Sequence, residues 1–108
     1  MSVHFDPQLS ILFNALGDTK RLLILEELRK RHDQTLFELC ARLLEEHSVT
    51  ISRQGITRHL NTLEQAGLIT TTWRGRTKIH TLVAAPIADA INPWVDLYSQ
   101  GDALRKCT

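Results

Sequence analysis

Leucine and isoleucine recur through this chain at intervals of three and four residues, the period that stacks apolar side chains along one side of a helix. The first such stretch opens at Asp6-Pro7, with Asp as N-cap and Pro at the first helical position. It carries Leu9, Leu12, Phe13 and Leu16 to a stop at Gly17. Asp18 caps a second helix over about Thr19 to Arg31. Leu22, Leu25 and Leu28 mark its apolar face, widened by Leu23 and Ile24. Arg29, Lys30 and Arg31 in its last turn suit the negative end of a helix dipole. His32-Asp33-Gln34 reads as a turn. Thr35-Leu36-Phe37-Glu38 is a capping box that opens a third helix, anchored by Leu39, Cys40, Leu43 and Leu44. Glu45 to Val49 leaves that helix through a linker longer than two tightly joined helices need, with room either to add a turn of helix or to hold the next helix at an altered angle.

The stretch from Thr50 to Gly67 organises the rest. Ser52 is a good N-cap, and Ile56, Leu60 and Leu63 fall at i, i+4 and i+7 on one face. Gln54, Thr57, Arg58 and Asn61 fall on the opposite face, and Gly67 stands where a left-handed residue ends a helix. Two amides, a hydroxyl and a guanidinium on one face suit base edges and phosphates in a major groove. Leu68 to Trp73 is then β-branched and aromatic, Arg74-Gly75-Arg76 is a turn, and Thr77 to Val83 alternates polar and apolar. That is a β-hairpin with Arg74, Arg76 and Lys78 about its tip. A reading helix followed by a cation-tipped hairpin predicts a winged helix-turn-helix: mainly α, with a hairpin wing that touches backbone or minor groove.

After the wing, Ala84-Ala85-Pro86 starts a last helix. Its stripe is Ile87, Ile91, Trp94, Val95 and Tyr98, and Pro93 is expected to kink or split it near Asn92. Aromatic residues on a terminal helix suggest an interface. The expectation is a two-fold homodimer through the first and last helices. The 108 residues then divide, within one domain, into helices 7–16 and 86–106 for dimerisation, a helical DNA-reading core over 19–67 and a wing over 68–83.

Composition changes this picture little, but charge placement sharpens it. The net charge is only +1. Residues 50–82, however, hold Arg53, Arg58, Arg74, Arg76 and Lys78 against the single acid Glu64, a local balance of +4. Positive charge gathered on the reading unit is the footprint a DNA binder needs. No run of 18 apolar residues is present, as a membrane span would require. The first residues lack the charged and apolar regions of a signal peptide. A cytoplasmic protein with reduced thiols at Cys40 and Cys107 is expected.

Leu16-Gly17-Asp18-Thr19-Lys20-Arg21-Leu22-Leu23-Ile24-Leu25 resembles the opening of the ArsR-type (arsenic-repressor-like) regulators. Glu38-Leu39-Cys40 resembles that family's "E-L" helix. Arg58-His59-Leu60 with Leu63-Glu64-Gln65-Ala66-Gly67-Leu68-Ile69 resembles its recognition helix and exit, and Arg74-Gly75-Arg76 its wing. The match runs over roughly residues 12–83. The resemblance implies a small homodimeric transcriptional repressor released from its operator by a signal. Two departures stand out. The linker at 45–51 is several residues longer than usual. Metal-sensing members carry Cys-x-Cys after "E-L", where this chain has Arg42 in the second place, and its last helix has no His. Neither usual metal site is intact, and no cofactor is implied. Some relatives sense oxidants or reactive sulfur through one cysteine on the "E-L-C" helix and one on the last helix. Cys40 and Cys107 are the corresponding pair here.

The remaining chemistry is sparse. The five histidines, His4, His32, His47, His59 and His80, show no ligand spacing. His59 borders the packed face of the reading helix, which favours packing or a phosphate contact over base reading. Glu26-Glu27 and Glu45-Glu46 are adjacent, point to different helix faces and read as solvated charge. There is no nucleophile elbow and no phosphate-cradling glycine loop, so no enzyme is expected. The expected DNA contacts are Gln54, Thr57, Arg58 and Asn61 at bases or nearby phosphates, Arg53 at phosphate, and Arg74, Arg76 and Lys78 from the wing. The rival reading is a winged helix used only for protein–protein contact.

Overall fold

The computed structural model describes the backbone of residues 7–107 and the side chains of residues 7–99. The elements run α1 (Pro7–Leu16), α2 (Thr19–Lys30), β1 (Gln34–Thr35), α3 (Leu36–His47), α4 (Arg53–Gln65), β2 (Ile69–Arg74), β3 (Thr77–Leu82) and α5 (Ala85–Cys107). The fold is mainly helical with a small antiparallel sheet ordered β1-β3-β2. Asp6, expected to cap α1, lies outside the described residues.

Local chemistry explains the boundaries. The Asp18 carboxylate accepts from the N–H groups of Lys20 and Arg21 and opens α2. Both arms of the Thr35–Glu38 capping box form at α3. The Ser52 hydroxyl accepts from the Gly55 N–H at 2.9 Å and opens α4. At the far end of α4, Gly67 at φ 78° lets its own N–H reach the Glu64 carbonyl while the Leu68 N–H reaches Leu63. This is a Schellman stop, with Leu63 and Leu68 both buried beside it.

The core lies where the helices meet: Leu12 and Ala15 of α1, Ile24, Leu25 and Leu28 of α2, Leu39 and Leu43 of α3, and Ile56, Leu60 and Leu63 of α4. Leu68 and Ile69 close it from the hairpin side.

Several expectations need correction. Gln34 is not simply the end of a turn. Asp33, at φ 62°, reverses the chain, and Gln34 and Thr35 then pair with His80 and Ile79 of β3. The Gln34 amide also donates to the Glu27 and Arg31 carbonyls, seven and three residues back, and so satisfies the end of α2. Leu22 and Leu44 stay exposed, because the packed stripes of α2 and α3 are narrower than the runs of leucine suggest. The long linker after α3 is taken up in part as helix: α3 continues to His47 before Ser48 turns it off at φ 57°. Pro93 does not split α5. The missing N–H leaves the Asp89 carbonyl without its helical donor, and Asp89 and Pro93 are exposed, where water can serve.

Glu27 is the largest correction. Its side chain is fully buried, not solvated. Lys30, Arg42 and His47 converge on it at 3.2, 3.3 and 2.9 Å. Burial pushes its carboxyl up, but the hydrogen bonds from His47 and Lys30 outweigh that and hold it below the ordinary glutamate value. Glu26, one residue earlier, faces out and pairs with Arg29.

Candidate nucleic-acid interface

Helix α4 is built as two halves. Ile56, Leu60 and Leu63 are buried, so the helix cannot rotate without exposing them. Rotation fixed, Arg53, Gln54, Thr57, Arg58 and Asn61 are left exposed. Gln54, Arg58 and Asn61 have no side-chain hydrogen bond or ion pair among the described residues. Thr57 differs: its hydroxyl donates to the Arg53 carbonyl at 2.8 Å. With that proton committed, Thr57 presents a methyl group and acceptor lone pairs, which suit a thymine methyl or a base amino group better than a phosphate.

The wing is positioned by pairing of β2 with β3, in register from Ile69↔Leu82 to Arg74↔Thr77. Gly75, at φ 64°, takes the first place of the two-residue turn, where a primed hairpin turn needs a left-handed residue. Arg74 and Arg76 are exposed. Lys78 is set apart from them: it lies directly across from Trp73 and is half-buried.

Two side chains given no site role by the sequence pattern tie α4 down. Arg21 of α2 donates through Nε to the Ala15 carbonyl at 2.8 Å and through Nη2 to the Asn14 carbonyl at 3.0 Å. Its Nη1 lies 3.2 Å from His59 Nδ1. Burial, with the cations Arg21, Lys20 and Arg58 nearby and Asp18 opposing them, holds His59 below its ordinary value. At the other end of α4, the Thr71 hydroxyl donates to Glu64 at 3.0 Å and joins the helix to the wing. Arg21 was visible in the sequence as a position of the family opening, but its partners, two carbonyls at the end of α1 and the ring of His59 in α4, come to it only through packing.

Cys40 is half-buried, and burial pushes its thiol up despite the favourable field of Arg53. A raised thiol is a poor nucleophile. The Cys107 side chain, the other half of the expected cysteine pair, lies outside the described residues.

No family model matches the chain. A curated relative does: an HTH-type transcriptional regulator of Bacillus subtilis, YuzN, is 39% identical over 85 residues, spanning 79% of this chain and 92% of the relative. An ArsR-like transcriptional regulator from Rhodococcus sp. RHA1 superposes with a TM-score of 0.73 at 29% identity, over 93% of this chain and 88% of that one. The chain belongs to the ArsR family of transcriptional regulators. The winged helix-turn-helix of this family is a DNA-binding fold, and its members regulate transcription rather than catalyse reactions. A third neighbour shares the fold at 16% identity and a TM-score of 0.62, over 94% of this chain and 91% of that one. It is the homodimeric winged helix-turn-helix domain Mb0332 of Mycobacterium bovis. Among the described residues, no helix is long and apolar enough to cross a membrane.

Proposed function

We propose that this ArsR-family chain is a cytoplasmic homodimeric repressor whose operator binding is relieved by a signal other than metal at the usual family sites. The observation that carries the reading is the outward face of α4, where Gln54, Arg58 and Asn61 are exposed and have no side-chain partner among the described residues. In this reading α4 enters the major groove, with Gln54, Thr57, Arg58 and Asn61 at base edges. Arg53 takes a phosphate. Arg74, Arg76 and Lys78 hold the flanking backbone.

Homodimerisation is supported by the apolar surface of α5. Trp94 and Tyr98 remain 44% and 61% exposed, with Val95 and Leu97 exposed beside them and Ile11 exposed on α1. Phe13 of α1 packs at a tilt against Trp94 with ring centroids 5.0 Å apart, and Trp94 meets Tyr98 edge-on at 5.3 Å, so the two helices present one aromatic surface. Aromatic anchors left this exposed fit a self-complementary two-fold contact.

The test combines sedimentation with footprinting on the protein's own promoter region, with and without zinc and a mild thiol oxidant. A dimer that protects two half-sites about one helical turn apart supports the reading. Release by oxidant would favour a Cys40–Cys107 sensor. Release by zinc would place a metal effector. A salt-insensitive protein with no affinity for duplex DNA would instead indicate a protein–protein module.

A further inference from the structure

Trp73 is 68% exposed, a large apolar side chain on a wing otherwise rich in cations and hydroxyls. Strand alternation decides which way it faces. Ile69, Thr71 and Trp73 share one face of β2. Ile69 is buried in the core, and Thr71 is hydrogen-bonded to Glu64 of α4. Trp73 therefore leaves the hairpin on the α4 side, two residues beyond the Thr71–Glu64 hydrogen bond. Lys78 stands directly opposite on β3 and shares this face, whereas Arg74 and Thr77 leave on the other. The face that packs on the reading helix at its base thus ends in an uncovered indole beside an ammonium group.

We propose that Trp73 is a specificity-determining contact: with α4 seated in the major groove, its indole edge enters the adjoining minor groove and selects A·T pairs there. The inference rests on the DNA-reading role proposed above. Charge supports a nucleic-acid occupant, because Lys78 lies across from Trp73 and exposed Arg76 follows in the hairpin turn, cations that would hold the phosphates bordering a minor groove. The selection follows from donor chemistry. The indole N–H is donor only. A·T and T·A pairs both show acceptors in the minor groove, while G·C adds an amino donor that opposes it. The indole would therefore tell A·T from G·C without distinguishing A·T from T·A.

The test uses the full chain and a duplex recovered by in vitro selection from a randomised pool. Copies of that duplex carry A·T or G·C pairs only in the segments flanking the half-sites. Wild type is expected to prefer the A·T flanks by about tenfold. Trp73→Phe keeps the ring, loses the N–H and should lose most of that preference. Trp73→Ala should lose all of it and some affinity, while the dependence on salt stays that of wild type because no charge is removed. In protein carrying fluorinated tryptophan, the fluorine resonance absent from Trp73→Phe should shift when the duplex binds. If wild type binds, Arg58→Ala weakens it, and the flanking exchange or the Trp73 variants change nothing, this inference alone is overturned. If wild type binds no duplex at all, the DNA-reading role fails and takes this inference with it.

Discussion

Arg21 Nη1 lies 3.2 Å from His59 Nδ1, and because a guanidinium has no acceptor, His59 is the acceptor. That fixes the tautomer: Nδ1 is bare and Nε2 carries the proton. The same guanidinium holds the Asn14 and Ala15 carbonyls near the end of α1. One side chain therefore joins the proposed dimer helix to the reading helix. Arg21→Lys keeps the charge but cannot reach three acceptors in a fixed fork. It is expected to lower stability by about 2 kcal/mol, with hydrogen bonds from charged groups worth roughly 1.5–3 kcal/mol. DNA affinity should fall with it. Urea unfolding and fluorescence anisotropy on the selected duplex read the two effects.

The neutral state of His59 and His80 sets a pH dependence. His80 is buried and its Nδ1 lies 3.1 Å from the Gln34 carbonyl, to which it donates. Burial holds its pKa below the ordinary 6.5. Lys78 works in the same direction, and the Gln34 carbonyl and Glu64 work against it. In the unfolded chain both rings take up a proton as pH falls through about 6.5, while the folded chain resists. The stability from this source is full above about pH 6.5 and drains away below it, down through the lowered folded values. The urea midpoint should thus fall between about pH 7.5 and 5.5. Replacing both histidines with Gln should flatten that slope.

Glu26 and Glu27 are neighbours in sequence and opposites in environment. Glu27→Ala strands Arg42 and His47 beside a buried void and should destabilise the fold by about 3 kcal/mol. Glu26→Ala removes an exposed pair with Arg29 and should leave the denaturation midpoint essentially where it is in wild type. Because the Glu27 carboxyl is held low in the fold, its share of stability is present above about pH 4.5 and is lost as pH falls through the lowered folded value. Chemical denaturation of the two variants side by side checks the contrast.

On DNA, Arg58→Ala and Lys78→Ala should fail differently. Arg58 is exposed on α4 with no side-chain partner among the described residues, so its loss should cost ~1–3 kcal/mol on the selected site and narrow the gap to random duplex. Lys78→Ala should weaken all duplexes alike and reduce the slope of log affinity against log salt by about one. Titrations at several salt concentrations separate the two behaviours. Equal losses on every duplex for both variants would remove base reading from α4.

What could be read without a fold is what depends on neighbours in sequence. The caps at Asp18, Thr35 and Ser52, the stop at Gly67 and the turn at Gly75 are short-range chemistry. So is the amphipathic split of α4, which one helical period places on opposite faces. The family signature also lies within such stretches. The strand at Gln34–Thr35, the burial of Glu27, the Arg21–His59 contact and the side on which Trp73 leaves the wing were decided only in three dimensions. Each depends on a partner 20 to 46 residues away or on the register of two strands. A local pattern specifies a side chain's direction relative to its own element. Whether that direction meets a carbonyl, a cation or water depends on how the elements pack.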